Sequence, residues 1–162
     1  MRAPISLSEK RGGGRFQYYS NALNTKLAQR EELELGLRHA LVRSEFVLHY
    51  QPRIDLTSNR LIGLEALLRW QHPRFGLLPP ARFLPILESS GLIHSAGEWV
   101  IQTACRQLAA WQQRFEMPDL AVVINLSPQQ LMHRRLVDVV KKSLNDNMLD
   151  PGCVELEIGD GN

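Results

Sequence analysis

The stretch from residue 121 to residue 158 constrains the fold most. AVVINL (121–126) reads as a buried strand, apolar except for Asn125, and VELEI (154–158) as a second strand in which Val154, Leu156 and Ile158 alternate with Glu155 and Glu157. Between them Ser127 is a helix-capping residue and Pro128 suits a first helical position. Leu136, Val140 and Leu144 carry the apolar stripe of the helix that follows, and Asp150-Pro151-Gly152 turns the chain into the last strand. A buried strand, an amphipathic crossover and a second buried strand make a parallel βαβ unit. Its crossover should be right-handed and its sheet covered on both faces. Repeats of this kind build either an open sheet or a (β/α) barrel.

The preceding residues read differently. FVLHYQP (46–52) is a strand that Pro52 should end, because proline cannot donate to a ladder. Asp55, Thr57, Ser58 and Asn59 form a turn, and LIGLEALL (61–68) is a second strand, close enough to the first to pair antiparallel. Gln71 to Pro80 reads as a proline-marked loop. Pro80 suits the start of a helix and Gly91 its end. A long helix is expected from Ala96 to Arg114, with Trp99, Val100, Ala104, Leu108 and Trp111 inward. Upstream, Leu33, Leu37, Ala40 and Leu41 form a helical stripe. Glu31, Glu32 and Glu34 precede Arg38, His39 and Arg43, as the helix dipole favours. Residues 1–25 are polar and glycine-rich and read as linker. Gly12, Gly13 and Gly14 lack the preceding strand and following Lys-Ser/Thr pair of a phosphate loop.

Several classes of function are excluded or left without support. The net charge of +2 gives no electrostatic footprint for a nucleic acid polymer. No apolar stretch approaches a membrane span, and MRAPISLSEKRGGG has no secretory apolar core. Cys105 and Cys153 are far apart, without metal or redox spacing, and read as buried reduced thiols suited to a cytoplasmic location. His39, His49, His72, His94 and His133 are scattered and read as surface or satisfied core residues. No nucleophile elbow is present. Trp70, Trp99 and Trp111 read as core rather than as a stacking platform.

Glu65, Asn125 and Glu157 are the residues that fit poorly, each a polar side chain in or near the end of an apolar strand. In a (β/α) barrel those strand ends carry the chemistry. A buried carboxylate is costly unless paired or bound to metal. Two carboxylates and an amide oxygen form a donor set suited to Mg²⁺, Ca²⁺ or Mn²⁺. Structural roles compete for each: Asn125 bonding a neighbouring strand, Glu65 pairing with Arg69, Glu157 facing solvent.

Taken in order, LHYQP (48–52), LIGLEALLRW (61–70), WQHPRFGLLPP (70–80), RFLPILESSGLI (82–93), GEWVIQTACRQLAAW (97–111), INLSPQQL (124–131) and VELEI (154–158) resemble the EAL family of cyclic di-GMP phosphodiesterases. The namesake tripeptide is Glu65-Ala66-Leu67. KRGGGRFQYYSNALN (10–24) resembles the join that follows a GGDEF cyclase domain in tandem proteins, although no GGDEF motif is present. The resemblance implies an α/β fold, a TIM-like barrel whose first strand runs antiparallel. It implies divalent-metal ligation, by Mg²⁺ or Mn²⁺, at Glu65, Asn125 and Glu157. It implies cyclic di-GMP contacts at Gln51 and Arg69, with Leu67 lining the base or sugar region. The family reaction is two-metal hydrolysis to linear pGpG.

The resemblance breaks at the C-terminus. The family reads E-I-T-E-S where this chain reads Glu157-Ile158-Gly159-Asp160-Gly161-Asn162. The paired aspartates of the D-D-F-G-x-G block, the lysine and the late glutamate have no counterpart here, so no catalytic residue is assigned. A whole barrel takes about 250 residues, and this chain supplies roughly half. The expectation is a C-terminally truncated EAL domain over residues 26–162, led by a helix at 26–43, preceded by a linker remnant at 1–25. As such it should be catalytically inactive and should self-associate through an open sheet edge. The alternatives are a non-catalytic dinucleotide-binding or protein-interaction module, or a remnant without function.

Overall fold

A computed structural model describes the backbone of residues 13–159 and the side chains of residues 27–159. The start of the expected linker and the closing Asp160, Gly161 and Asn162 lie outside the described residues. In chain order the elements are α1 (Gly13–Ala40), β1 (Phe46–Asp55), β2 (Arg60–His72), β3 (Gly76–Leu78), α2 (Leu84–Ser89), α3 (Ile93–Phe115), β4 (Ala121–Leu126), α4 (Pro128–Leu131), α5 (Leu136–Asp146) and β5 (Val154–Ile158). Short 3-10 turns at Pro80–Arg82 and Pro151–Cys153 precede α2 and β5.

The strands form one mixed sheet in the order β1-β2-β4-β5, with β3 paired to the far end of β2. β1 runs antiparallel to β2, whereas β2 with β4 and β4 with β5 are parallel. The sheet is open, a partial barrel rather than a closed one, with β1 and β5 as its outer strands. Strand alternation divides it into two faces. Ala66, Val122, Ile124 and Leu126 are buried against Ile101, Ala104 and Leu108 of α3. A second core lies where Leu33, Leu37 and Ala40 of α1 meet Phe46, Trp70 and Phe83. There the approach is close: a Cβ on Gly36 would lie 2.9 Å from the Trp70 ring. Trp70 donates from Nε1 to Glu45 Oε2 at 3.0 Å, which satisfies both buried groups.

Several boundaries differ from the sequence reading. α1 begins at Gly13, inside the stretch read as linker, and ends at Ala40; the chain then turns through Ser44, whose φ is 54°. Pro52 does not end β1: it stays paired opposite Leu64 in an outer strand, where a sheet tolerates proline. Instead the register slips one residue later, between Arg53 and Ile54. The expected loop from Gln71 contains β3, folded back on Trp70–His72 through Gly76, whose φ is +70°. The helix after Ser127 is two helices: α4 closes after one turn, and α5 starts at Leu136.

Both cysteines are buried and free. Burial pushes the Cys105 thiol up to about 11 and the Tyr50 hydroxyl to about 12, with Cys105 adding to the latter. An apolar-buried thiol of this kind is inert. Among the described residues no helix is long and apolar enough to cross a membrane.

Candidate functional site

The face of the sheet turned away from the helices carries the polar strand residues. The registers set them in rows: Gln51 stands beside Glu65 across β1 and β2, and Asn125 beside Glu157 across β4 and β5. Asn125 Nδ2 donates to Glu65 Oε1 at 2.7 Å, tying the two rows together. The reading that Asn125 bonds a neighbouring strand is therefore met, with Glu65 itself as the partner. The proposed Glu65–Arg69 pair is not present: Arg69 turns its guanidinium to the Leu68 carbonyl, Nη1 donating at 2.8 Å. Glu157 is exposed and has no side-chain hydrogen bond among the described residues.

The donor chemistry fits a hard cation. Because Asn125 uses its amide nitrogen on Glu65, its Oδ1 stays free as a ligand, together with the carboxylates of Glu65 and Glu157. Among the described residues no cluster of three or more His, Cys, Asp or Glu side chains is placed to hold a metal. The candidate set counts only two carboxylates, and the amide is its third member.

Beside this face is a cleft of about 400 Å³. Leu67 and Asn125 line it at the strand ends, with Pro80, Leu84 and Glu88 on one side and Ser127 on another. Its apolar walls and few polar groups suit a small-molecule ligand. On the same face, at the start of β5 and toward the end of the antiparallel β1, Arg53 Nη1 donates to Glu155 Oε2 at 2.8 Å, bridging the outer strands. Both partners are well exposed, so the pair contributes little stability.

Two features escaped the sequence reading. The first is Gln130, which completes a reciprocal cap. Ser127 N–H donates to Gln130 Oε1 at 2.9 Å, and Gln130 N–H donates to Ser127 Oγ at 3.4 Å. The S-x-x-Q spacing after a strand is the signal that marks it. The second is a stack of His94 on His133, for which the sequence offers no spacing clue. His72, by contrast, is a satisfied core histidine, its Nδ1 accepting from the backbone N–H of Arg74 and Phe75.

Comparison with known proteins places this geometry. The model of the EAL domain family matches residues 35–162. An uncharacterised protein of Synechocystis is 42% identical over 159 residues, covering 97% of this chain and 23% of its own length. The bifunctional diguanylate cyclase/cyclic di-GMP phosphodiesterase MucR of Pseudomonas aeruginosa is 38% identical over 151 residues, 93% of this chain and 22% of that protein. In structure, the MucR phosphodiesterase in complex with c-di-GMP superposes with a TM-score of 0.76 at 43% identity, over 80% of this chain and 52% of that one. The EAL enzyme Bd1971 in its cGMP-bound form gives a TM-score of 0.75 at 28% identity, over 90% and 43%. The chain thus spans under a quarter of these two curated relatives and about half of these structural neighbours.

Proposed function

The chain belongs to the EAL domain family, and on that premise we propose that its polar strand face is half of a cyclic di-GMP site. Glu65, Asn125 and Glu157 are the residues assigned to hold Mg²⁺ or Mn²⁺. Gln51, Leu67 and Arg69 are assigned to the dinucleotide. The observation that carries this is the Asn125–Glu65 hydrogen bond, which draws two strand-end oxygen donors together beside Glu157. A bound cation would supply charge neutralisation for a phosphate and an acidified water. The chain's own residues set the geometry. Asn125 fixes the orientation of Glu65, Gln51 flanks it in register, and Leu67 offers an apolar wall to a base. Arg69 would exchange the Leu68 carbonyl for a phosphate oxygen, to which its guanidinium is better matched.

These 162 residues are proposed to bind rather than to turn over substrate. They contain no counterpart of the family's D-D-F-G aspartates, its lysine or its late glutamate. A two-metal displacement needs both the attacking and the leaving oxygen stabilised. The assigned dinucleotide contacts Gln51, Leu67 and Arg69 lie within these residues, which supports binding without turnover. Residues 1–25 are read as the linker into this domain, helical from Gly13.

The test is calorimetric titration of the chain with cyclic di-GMP and Mn²⁺, with chromatographic detection of pGpG. Metal-dependent binding, abolished in Asn125→Ala and Glu65→Gln, and no pGpG are expected. A folded chain that binds neither metal nor dinucleotide would sink the site assignment. Turnover that vanishes in Glu65→Ala would sink the assigned inactivity.

A further inference from the structure

The segment that follows Asn125 is held by a contact outside the strand-end site. His94, in the first turn of α3, stacks on His133, in the connection between α4 and α5, with ring centroids 4.2 Å apart and planes at 25°. Nδ1 of His94 is buried and without a hydrogen-bond partner among the described residues. The rings line a cavity of about 160 Å³ together with Ser95, Glu98, Gln130 and Arg135. Glu98 and Arg135 are the charged groups facing it; Glu98 also accepts from Gln102 at 3.3 Å. From α5 only the apolar Leu136 and Val139 face the cavity, and Arg134 and Asp138 are exposed and do not line it.

Two neutral imidazoles stack at this distance without electrostatic cost. Protonation of both rings would set two like charges 4.2 Å apart and beside Arg135, with Glu98 as the single opposing charge at the cavity. It also turns both nitrogens of each ring into donors. For His94 one of those donors would be buried without an acceptor, which is costly. Opening the stack relieves both penalties. Burial, and then His133, accordingly hold His94 below the usual imidazole range.

We propose that the His94–His133 stack is a proton-sensitive clamp: neutral, it holds the Ser127–Arg135 connection against the start of α3, and protonation releases it. The released segment matters because Gln130 lines both this cavity and the cleft that Asn125 and Leu67 line. Gln130 caps Ser127, two residues beyond Asn125. Acid would therefore loosen the strand-end site from behind. That consequence rests on the cyclic di-GMP reading; the clamp itself does not.

The folded value of His94 lies below its unfolded value of about 6.5. The clamp's stabilisation is thus complete above about pH 6.5 and lost as pH falls through the lower folded value. The experiment is a proton NMR titration of the histidine rings of the intact chain, with amide exchange of Gln130 and Leu131 corrected for intrinsic rates. His94 should titrate below free imidazole, and move upward in His133→Phe, which keeps a stacked ring but removes its charge. Protection at Gln130 and Leu131 should fall as pH drops from about 6.5 through the lower folded value of His94, by roughly tenfold for each unit of that lowering. This pH dependence should disappear in His94→Phe/His133→Phe. A His94 that titrates at the free value, or protection in the unsubstituted chain that stays flat across the range, overturns the clamp without reference to any variant. Because no dinucleotide is present in this measurement, the clamp and the site assignment fail separately.

Discussion

Replacing glycine by alanine inside a helix ordinarily stabilises a protein by about 1 kcal/mol. At Gly97, inside α3, the sign should reverse. A Cβ there would lie 1.8 Å from Gln130 Nε2 and 3.0 Å from its Cδ. Both atoms belong to the end of a flexible side chain, so the collision itself is cheap to relieve. The cost lies in what the displaced amide was doing. Gln130 is 7% exposed, and its Oε1 accepts the Ser127 N–H at 2.9 Å. Losing a cap interaction costs about 0.5–2 kcal/mol. Leaving a buried polar group without a partner costs about 1–3 kcal/mol. These overlap, because they describe the same amide, and together come to about 2–3 kcal/mol. After the helix-propensity gain is subtracted, Gly97→Ala should destabilise by about 1–2 kcal/mol.

A double-mutant cycle separates this from any general intolerance of α3. In Gln130→Ala the obstacle and the cap are already gone, so adding Gly97→Ala should then stabilise by the ordinary amount, about 1 kcal/mol. The coupling between the two positions should be about 2–3 kcal/mol. Equilibrium urea unfolding followed by tryptophan fluorescence measures all four proteins. Gly97→Ala stabilising the unsubstituted chain, or two substitutions that simply add, would refute the claim that Gly97 is a seat for Gln130.

Trp70→Phe should cost about 2–4 kcal/mol in the same assay, since it leaves a void and strips buried Glu45 of its 3.0 Å donor, with Arg43 only at 4.0 Å. The chain should associate with rising concentration in size-exclusion chromatography, because β5 is an outer strand with Ile158 48% exposed, and Ile158→Lys should reduce it; a monomer at every concentration would count against this. Asp55 is held below the usual carboxylate range by the Thr57 N–H and then the Ser58 hydroxyl. Its stabilisation is present above about pH 3.9 and lost as pH falls through the lower folded value, so Asp55→Asn should flatten that acid limb of the stability curve.

What could be read in advance depended on how local the determining interaction is. β4 at Ala121–Leu126 matches its reading residue for residue, because a short run that is apolar except for Asn125 fits a strand covered on its helix side and crowded on the other. The Ser127-Pro128 start of α4 was legible for the same reason, being set by capping within four residues. Pro52 misled because its effect depends on whether β1 has a second neighbour, a property of the sheet and not of the segment. The break between α4 and α5 was hidden because Leu136, Val140 and Leu144 keep a helical spacing on their own, and it falls where His133 of the connection stacks on His94 at the head of α3.

The site divides along the same line. Glu65, Asn125 and Glu157 stand out in sequence as polar residues that apolar strands do not need. Their pairing follows from registers that place Asn125 beside Glu157 and allow its amide to reach across to Glu65. Those registers are set by the opposite face, where Ala66, Ile124 and Leu126 must meet α3; a slip of one residue would bury the carboxylates and expose the core. The helix-facing residues therefore do the aiming for the polar ones from the opposite face of the sheet. Arg69 shows the limit of this control. It shares a face with Glu65, yet its long side chain settles on the Leu68 carbonyl. Register decides which face a side chain occupies; it leaves the guanidinium free to choose among partners, and a phosphate arriving at this face of the sheet would compete with a single neutral carbonyl for it.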